Sequence, residues 1–330
     1  MRIAVDVLGG DHAPNEIIAG VALALEQSFP PDGLLLVGPE QLIREKMGSG
    51  ADCPEIINTE VRVEGEESPA EALRSKADSS IRLCVDAVAR GAASGLVSFG
   101  NTGATVVASA VGLGLLPGIK RSGIAVSLQG VNGRFVMVDA GANPSPKPEH
   151  LFHYGLMGRA YAQDILNAEN PSLGLLNIGG EASKGNTVLK ETHALLEASN
   201  LPFHGNIEGN QIFEGNVDVI IADGFSGNTV IKVLEGFGEF LMAGFARLGD
   251  EASDGGKSAF RSLLGVADYT EVGGAILLGV QGTVVVGHGR SEAKAVPAAL
   301  FAARDEVEKE VNQHIVEAVS EYSQEATSSS

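Results

Sequence analysis

Lys184 stands near the end of the stretch LGLLNIGGEASKGN, residues 173–186, in which an apolar run gives way to a glycine turn, a lone lysine and then a helix-like segment. A strand that ends in glycines and delivers a cation into a turn presents charge to a small anion at a sheet edge. The plainer alternative is a tight turn with a solvated lysine. Asn101-Thr102-Gly103 and Ser226-Gly227-Asn228-Thr229 repeat the arrangement, each between a predicted strand and a predicted helix. Glycine there lets the backbone approach an anion, and the free N–H groups of a first helical turn point at it; ordinary N-capping is the competing explanation. His12 beside Asp11 reads equally as an acid/base pair or as a histidine bonded in a turn, and His288, between Gly287 and Gly289, has a better claim to a cleft because it too follows a strand. Asp139 and Asp223 end apolar strands, where a carboxylate could bind Mg²⁺ or orient an amide. Capping the next turn is the simpler role for both.

The elements that must position these groups alternate. Strands are expected at 2–7, 34–37, 55–58, 96–99, 173–178, 217–222 and 283–286, with an antiparallel pair at 124–128 and 135–138. Helices are expected at 16–27, 40–47, 68–90 (one long or two), 105–115, 149–167, 186–198, 229–248 and 296–322. Apolar strands alternating with helices specify a mostly parallel sheet covered on both faces. Six polar, glycine-rich loops follow strands, at 9–15, 100–104, 139–148, 179–186, 223–228 and 287–291. Ligands bind such sheets at the carboxyl ends of their strands, so these loops are expected to share one cleft. No linker separates domains. A single catalytic domain over 1–322 is expected, or two interleaved subdomains with a helical protrusion near 229–270, followed by a polar tail at 323–330.

Composition narrows the function. The chain has 330 residues, 44% hydrophobic and 20% charged, which suits a folded protein rather than a disordered one. Its 43 glycines, against a usual ~7%, imply many tight turns or close backbone approaches. A net charge of −19 without a basic stripe argues against nucleic acid as a partner. Cys53 and Cys84 form no CxxC and no Cys/His cluster, so neither a structural metal site nor a disulfide framework is expected, and a reducing, cytoplasmic setting is the default. No apolar run reaches the ~18 residues of a membrane span. The GxGxxG and GxxxxGK[ST] fingerprints are missing, and GFSGN at 224–228 places its second glycine too early for a GxSxG elbow. Standard dinucleotide, P-loop and serine-hydrolase readings therefore lack their key residues.

Taken together, LGGDHAP (8–14), ALRSKADSSIRLCVDAV (72–88), GNTGA (100–104), IKRSGIAVSLQG (119–130), VDAGAN (138–143), LLNIGGEASKGN (175–186), GNIEG (205–209), VDVIIADGFSGNTVIKVLEG (217–236) and GGAILLGVQGTVVVGHG (273–289) resemble the bacterial phosphate acyltransferases of phospholipid synthesis. The resemblance runs in order from residue 1 to about 322. It implies an α/β/α sandwich, a three-layer α/β fold related to isocitrate dehydrogenases and phosphotransacetylases, and transfer of an acyl group from acyl-[acyl-carrier protein] to inorganic phosphate. It also implies a homodimer, no metal and no cofactor. On it rest the expected roles: Lys184 neutralises phosphate or the oxyanion, Asn228 and the Gly227 backbone donate, Ser226 and the Asn101-Thr102-Gly103 loop hold anionic oxygens, and His12 or His288 assists proton transfer. Arg74, Lys76, Arg82, Lys120, Arg121 and Lys232 are the candidate cations for docking an acidic carrier protein.

The family's contact with the inner face of the membrane, where a glycerol-3-phosphate acyltransferase acts downstream, is in tension with GDEASDGGK at 249–257, which is polar and acidic. Phe237, Phe240, Leu241, Phe245, Leu263 and Leu264 flank it as an apolar tip or a dimer contact. The motif GGAI stands where the family has GGAP. An acyl-CoA-dependent phosphotransacetylase-like enzyme, a decarboxylating dehydrogenase and a non-catalytic phosphate-binding module remain as alternatives.

Overall fold

The computed structural model describes residues 1–48, 50, 53–247 and 274–328. The chain divides into two compact units: one formed by Met1–Ser122 with Val272–Ser330, the other by Gly123–Glu271. Each carries strands whose apolar runs are buried, as parallel strands covered on both faces require.

In the first unit the strands β1 (Ile3–Asp6), β2 (Leu34–Gly38), β3 (Glu55–Asn58), β4 (Gly95–Ser98), β10 (Ala275–Leu278) and β11 (Thr283–Val286) lie in the order β3-β2-β1-β4-β11-β10. The β1–β2, β2–β3, β1–β4 and β4–β11 pairs are parallel, and β10 runs antiparallel to β11. Helix α1 (Asn15–Glu26) and α2 (Glu40–Met47) carry the chain outward from β1 to β3; α3 (Pro69–Ser75) and α4 (Ser80–Ala89) carry it back to β4. Right-handed crossovers in opposite directions place the two sets on opposite faces. The order therefore reverses between β1 and β4, and the crevice beyond their carboxyl ends is where such sheets take ligands. Helices α5 (Thr102–Gly112), α9 (Ala295–Glu308) and α10 (Val311–Ser328) complete the unit.

The second unit orders its strands β5-β6-β9-β7-β8. Strands β5 (Gly123–Gly130) and β6 (Gly133–Val138) form the expected antiparallel hairpin, while β7 (Leu173–Asn177), β8 (Phe203–Glu208) and β9 (Val219–Ile221) continue in parallel. Helices α6 (Pro148–Leu166), α7 (Thr187–Glu197) and α8 (Gly224–Arg247) begin at the carboxyl ends of β6, β7 and β9.

Several boundaries differ from the sequence expectation. The segment 68–90 is two helices. The last helix is also two, interrupted where Glu310 takes φ 53°. Strands β8 and β10 were not anticipated. Helix α8 starts at Gly224 rather than Thr229, and α5 at Thr102 rather than Thr105, so the polar triplets expected in loops form first helical turns. The segment 249–257, Leu263, Leu264 and the side chain of Phe245 lie outside the described residues. Among the described residues no helix is long and apolar enough to cross a membrane.

Candidate active site

The lysine turn in the second unit is built by two asparagines. Asn177, the last residue of β7, donates from Nδ2 to the Lys184 carbonyl (3.2 Å) and accepts the Ile178 amide at Oδ1 (2.8 Å). Asn206 of β8 donates to the Glu181 carbonyl (2.9 Å), and the Lys184 amide closes onto that same carbonyl (3.0 Å). Both asparagines are buried, so their fixed amides hold an exposed turn in place. Gly185 sits at φ 84°, and a β-carbon there would meet the Asn177 side-chain oxygen at 2.6 Å, so only glycine fills the position without strain. The lysine stem lies across Gly179, and its Nζ is 3.8 Å from the exposed Glu181 carboxylate, a solvated pairing that a bound anion can displace.

Asn186 caps α7, its Oδ1 accepting the Leu189 amide (2.9 Å). The amides ahead of it in the first turn have no intrahelical acceptor and face outward. At α8 the cap is Asp223, whose carboxylate accepts both the Ser226 amide and the Ser226 hydroxyl (2.8 Å each), while its carbonyl accepts the Gly227 amide (2.9 Å). The Gly227 N–H is thus engaged within the turn. Asn228 remains exposed beside Gly141. Gly227 is where α8 crosses the Asp139 carbonyl, closer than any β-carbon tolerates.

Asp139 supports this whole edge. It is fully buried, and its two oxygens accept the amides of Ile124 (2.9 Å), Gly141 (3.0 Å), Ala142 (2.9 Å) and Asn143 (2.6 Å). Burial raises its pKa; the four amides pull the other way. Both aspartates therefore cap the turns that follow them, as the simpler sequence reading had it. Among the described residues no three His, Cys, Asp or Glu side chains group as metal ligands.

The first unit has a parallel arrangement around a residue that sequence reasoning missed. Asp6 ends β1 in register with Ser98 of β4 and accepts the Ser98 hydroxyl at 2.7 Å, and Ser98 in turn accepts the Gly100 amide at 3.1 Å. Burial raises the Asp6 pKa against the lowering pull of Ser80, Ser98 and the amides of Leu8 and Gly9. A β-carbon on Gly9 would strike the Asp6 carboxylate at 2.6 Å and the Gly100 amide at 2.8 Å, so the loops after β1 and β4 close on one another. The signal was legible: a carboxylate ending an otherwise apolar parallel strand.

The other first-unit candidates are placed as follows. Asn101 caps α5 through the Ala104 amide (2.9 Å), and its Nδ2 donates to the carbonyls of Glu64 (3.3 Å) and Gly65 (2.9 Å). Thr102 and Gly103 are the first residues of that helix, with Gly103 against Pro69. His12 is exposed, and His288 is half-buried with its Nδ1 accepting the Arg290 amide at 3.2 Å. The Asp11 amide donates to the Gly289 carbonyl (2.8 Å), which ties the two histidine loops together. Of the docking cations, Arg74 and Arg121 are exposed. Lys120 is also exposed, Lys76 is held by Glu67 (2.6 Å) and the Arg62 carbonyl (2.9 Å), and Arg82 pairs with Asp86 (3.4 Å).

Residues 1–314 match the family model described as "Fatty acid synthesis protein". The chain is 41% identical over 326 residues to a "Phosphate acyltransferase" of Pelotomaculum thermopropionicum, covering 96% of this chain and 94% of that one. It is 42% identical over 322 residues to a protein of the same name from Desulfitobacterium hafniense, covering 93% and 94%. Among solved structures it is similar in fold to a phosphotransacetylase from Streptococcus pyogenes (TM-score 0.61, 18% identity, 93% and 94% covered). A branched-chain phosphotransacylase from Enterococcus faecalis is also similar (TM-score 0.59, 15% identity, 93% and 99% covered).

Proposed function

Because the chain belongs to the fatty acid synthesis protein family, we propose that it transfers a fatty acyl group, reversibly, from the thioester of acyl-[acyl-carrier protein] to inorganic phosphate, giving an acyl phosphate for phospholipid synthesis. The observation that carries this reading is the near-full-length identity with relatives named phosphate acyltransferase. A phosphate oxygen attacks the carbonyl carbon, a C–O bond forms, and the carbonyl oxygen becomes an oxyanion. Collapse of that adduct breaks the C–S bond, and the thiolate takes up the proton that phosphate has lost.

Phosphate is already nucleophilic at neutral pH, so the protein has to position it, stabilise the oxyanion and let the thiolate leave. Lys184, anchored by the Asn177 and Asn206 staples, is the cation for phosphate. The Asn228 side chain and the outward first-turn amides of α7 are the donors, with Ser226 held by Asp223 at their edge. Neither a metal nor a redox cofactor has a step to perform in this scheme.

The carrier is acidic, and in a chain of net charge −19 the exposed Arg74, Lys120 and Arg121 are the cations proposed to dock it, whereas Lys76 and Arg82 are held by Glu67 and Asp86. The homodimer is supported by α8, where Val233, Phe237 and Phe240 follow at i, i+4 and i+7 with Phe237 55% and Phe240 69% exposed. Work in the cytoplasm, with any membrane contact peripheral, accords with the lack of a spanning helix among the described residues. The test is a donor comparison: purified enzyme, phosphate, and palmitoyl groups on either acyl-carrier protein or CoA. A kcat/KM at least tenfold higher for the carrier-protein donor is expected. Preference for CoA would move the chain to the phosphotransacetylase-like reading.

A further inference from the structure

A cleft of about 400 Å³ opens in the second unit beside the lysine turn, within the size range of ligand sites, ~300–1,000 Å³. Its wall is apolar: Leu151 from α6, Val188 and Leu189 from the first turn of α7, Pro144 and Pro146 from the loop after β6, and Phe225 from the first turn of α8. Its polar lining comes from Ser145, Asn186, Asp223 and Ser226. Three of these are already engaged, Asn186 with the Leu189 amide and Asp223 and Ser226 with one another. Among the described residues no lysine or arginine lines the cleft. A phosphate or a phosphorylated arm seated deep in it would lie beside the Asp223 carboxylate with no described cation in the lining to offset the repulsion.

Phe225 is 70% exposed, although it belongs to the wall. A large aromatic side chain held open at a concave apolar surface has area left for a ligand to cover. The position of the mouth identifies the occupant. Asn186 and Val188 flank the start of α7, two and four residues beyond Lys184, and Ser226 lies two residues before Asn228. Lys184 and Asn228 each lie two residues along the chain from a lining residue, so an acyl carbonyl held by them would stand at the edge of this apolar cleft.

We propose that this cleft seats the carbonyl-proximal carbons of the substrate's acyl chain, making Val188, Leu189 and Phe225 determinants of chain-length selection. The inference rests on the phosphate acyltransferase reading. Each methylene buried in such a seat strengthens discrimination between chain lengths, whereas a site for the thiol carrier's arm would treat all acyl groups alike.

The experiment uses the full chain and two variants, Val188→Trp, which fills the cleft, and Phe225→Ala, which removes an exposed part of its wall without disturbing the core. Two readouts are taken: kcat/KM for acetyl, octanoyl and palmitoyl groups on one and the same thiol carrier, and octanoate and palmitate binding by calorimetry. The expected result is a fall of about tenfold or more in the palmitoyl-to-acetyl ratio for Val188→Trp, with the KM for phosphate unchanged within about twofold. A smaller fall of the same sign is expected for Phe225→Ala. Equal losses for all three donors would assign the cleft to the carrier's arm and overturn the proposal, and so would ratios that do not move in either variant. If Val188→Trp does not fold, Phe225→Ala decides. If the native protein makes acyl phosphate from no donor, the reaction falls, while palmitate binding that Val188→Trp abolishes still upholds the seat and its absence removes it.

Discussion

Glu306, in α9, is a fully buried carboxyl whose Oε2 has no hydrogen-bond partner among the described residues, with the Thr283 side chain on β11 hydrogen-bonded to the carboxyl group. Burial pushes its pKa from 4.5 up to about 8, the Thr283 hydroxyl pulling weakly the other way. The folded state therefore keeps a proton that the unfolded chain releases above about pH 4.5. A raised folded-state pKa means that the stability present below the unfolded value is lost as pH rises toward the folded value. At 1.36 kcal/mol per unit, the loss between pH 5 and pH 8 is about 3 kcal/mol. Glu306→Gln removes this titration and keeps the Thr283 bond through its amide oxygen. Urea unfolding of both proteins across pH 5–8 measures the outcome as a difference, so that all other titrations cancel. The Gln variant should gain on the native protein by about 3 kcal/mol over that window, the gap widening steadily with pH. Stability curves that stay parallel to within about 0.5 kcal/mol would refute the claim that this carboxyl is carried neutral in the core.

Two further perturbations probe the site itself. Lys184→Ala should cut kcat/KM for acyl-phosphate formation tenfold or more, about 1.4 kcal/mol, and a change within threefold would dismiss the lysine from the reaction. Gly227→Ala drives a methyl group into the Asp139 carbonyl and should destabilise the protein by about 3 kcal/mol, visible as a lowered melting temperature. An unshifted transition would mean that α8 can slide away from the loop after β6.

Much of the scaffold was readable because parallel strands buried on both faces are continuous apolar runs, as LLLV in β2 and VII in β9 are. β8 escaped notice because FHGNIE is only partly buried, shifts register against β7 and carries Gly205 at φ 109°, which leaves no clean alternation. β10, AILL, is too short to distinguish by period from a helix segment. The triplet Ser226-Gly227-Asn228 looks like loop by composition. It is helical because Asp223, one residue upstream of α8, satisfies the Ser226 and Gly227 amides and so starts the helix early. The lysine turn was legible as glycine grammar; the asparagines that hold it, Asn177 and Asn206, were not, since their partners are carbonyls brought close only by the β7–β8 pairing. In the same way the Asp6–Ser98 bond depends on β1 and β4 being neighbours in the sheet although 92 residues apart in sequence.

Phosphorus NMR of the reaction tests most directly whether this chain joins an acyl group to phosphate. With palmitoyl-[acyl-carrier protein], phosphate and enzyme, an acyl-phosphate resonance should grow one for one with free carrier thiol and be discharged by hydroxylamine. Thiol released without that resonance would make the protein a thioester hydrolase, and no release at all would contradict the proposed acyl transfer.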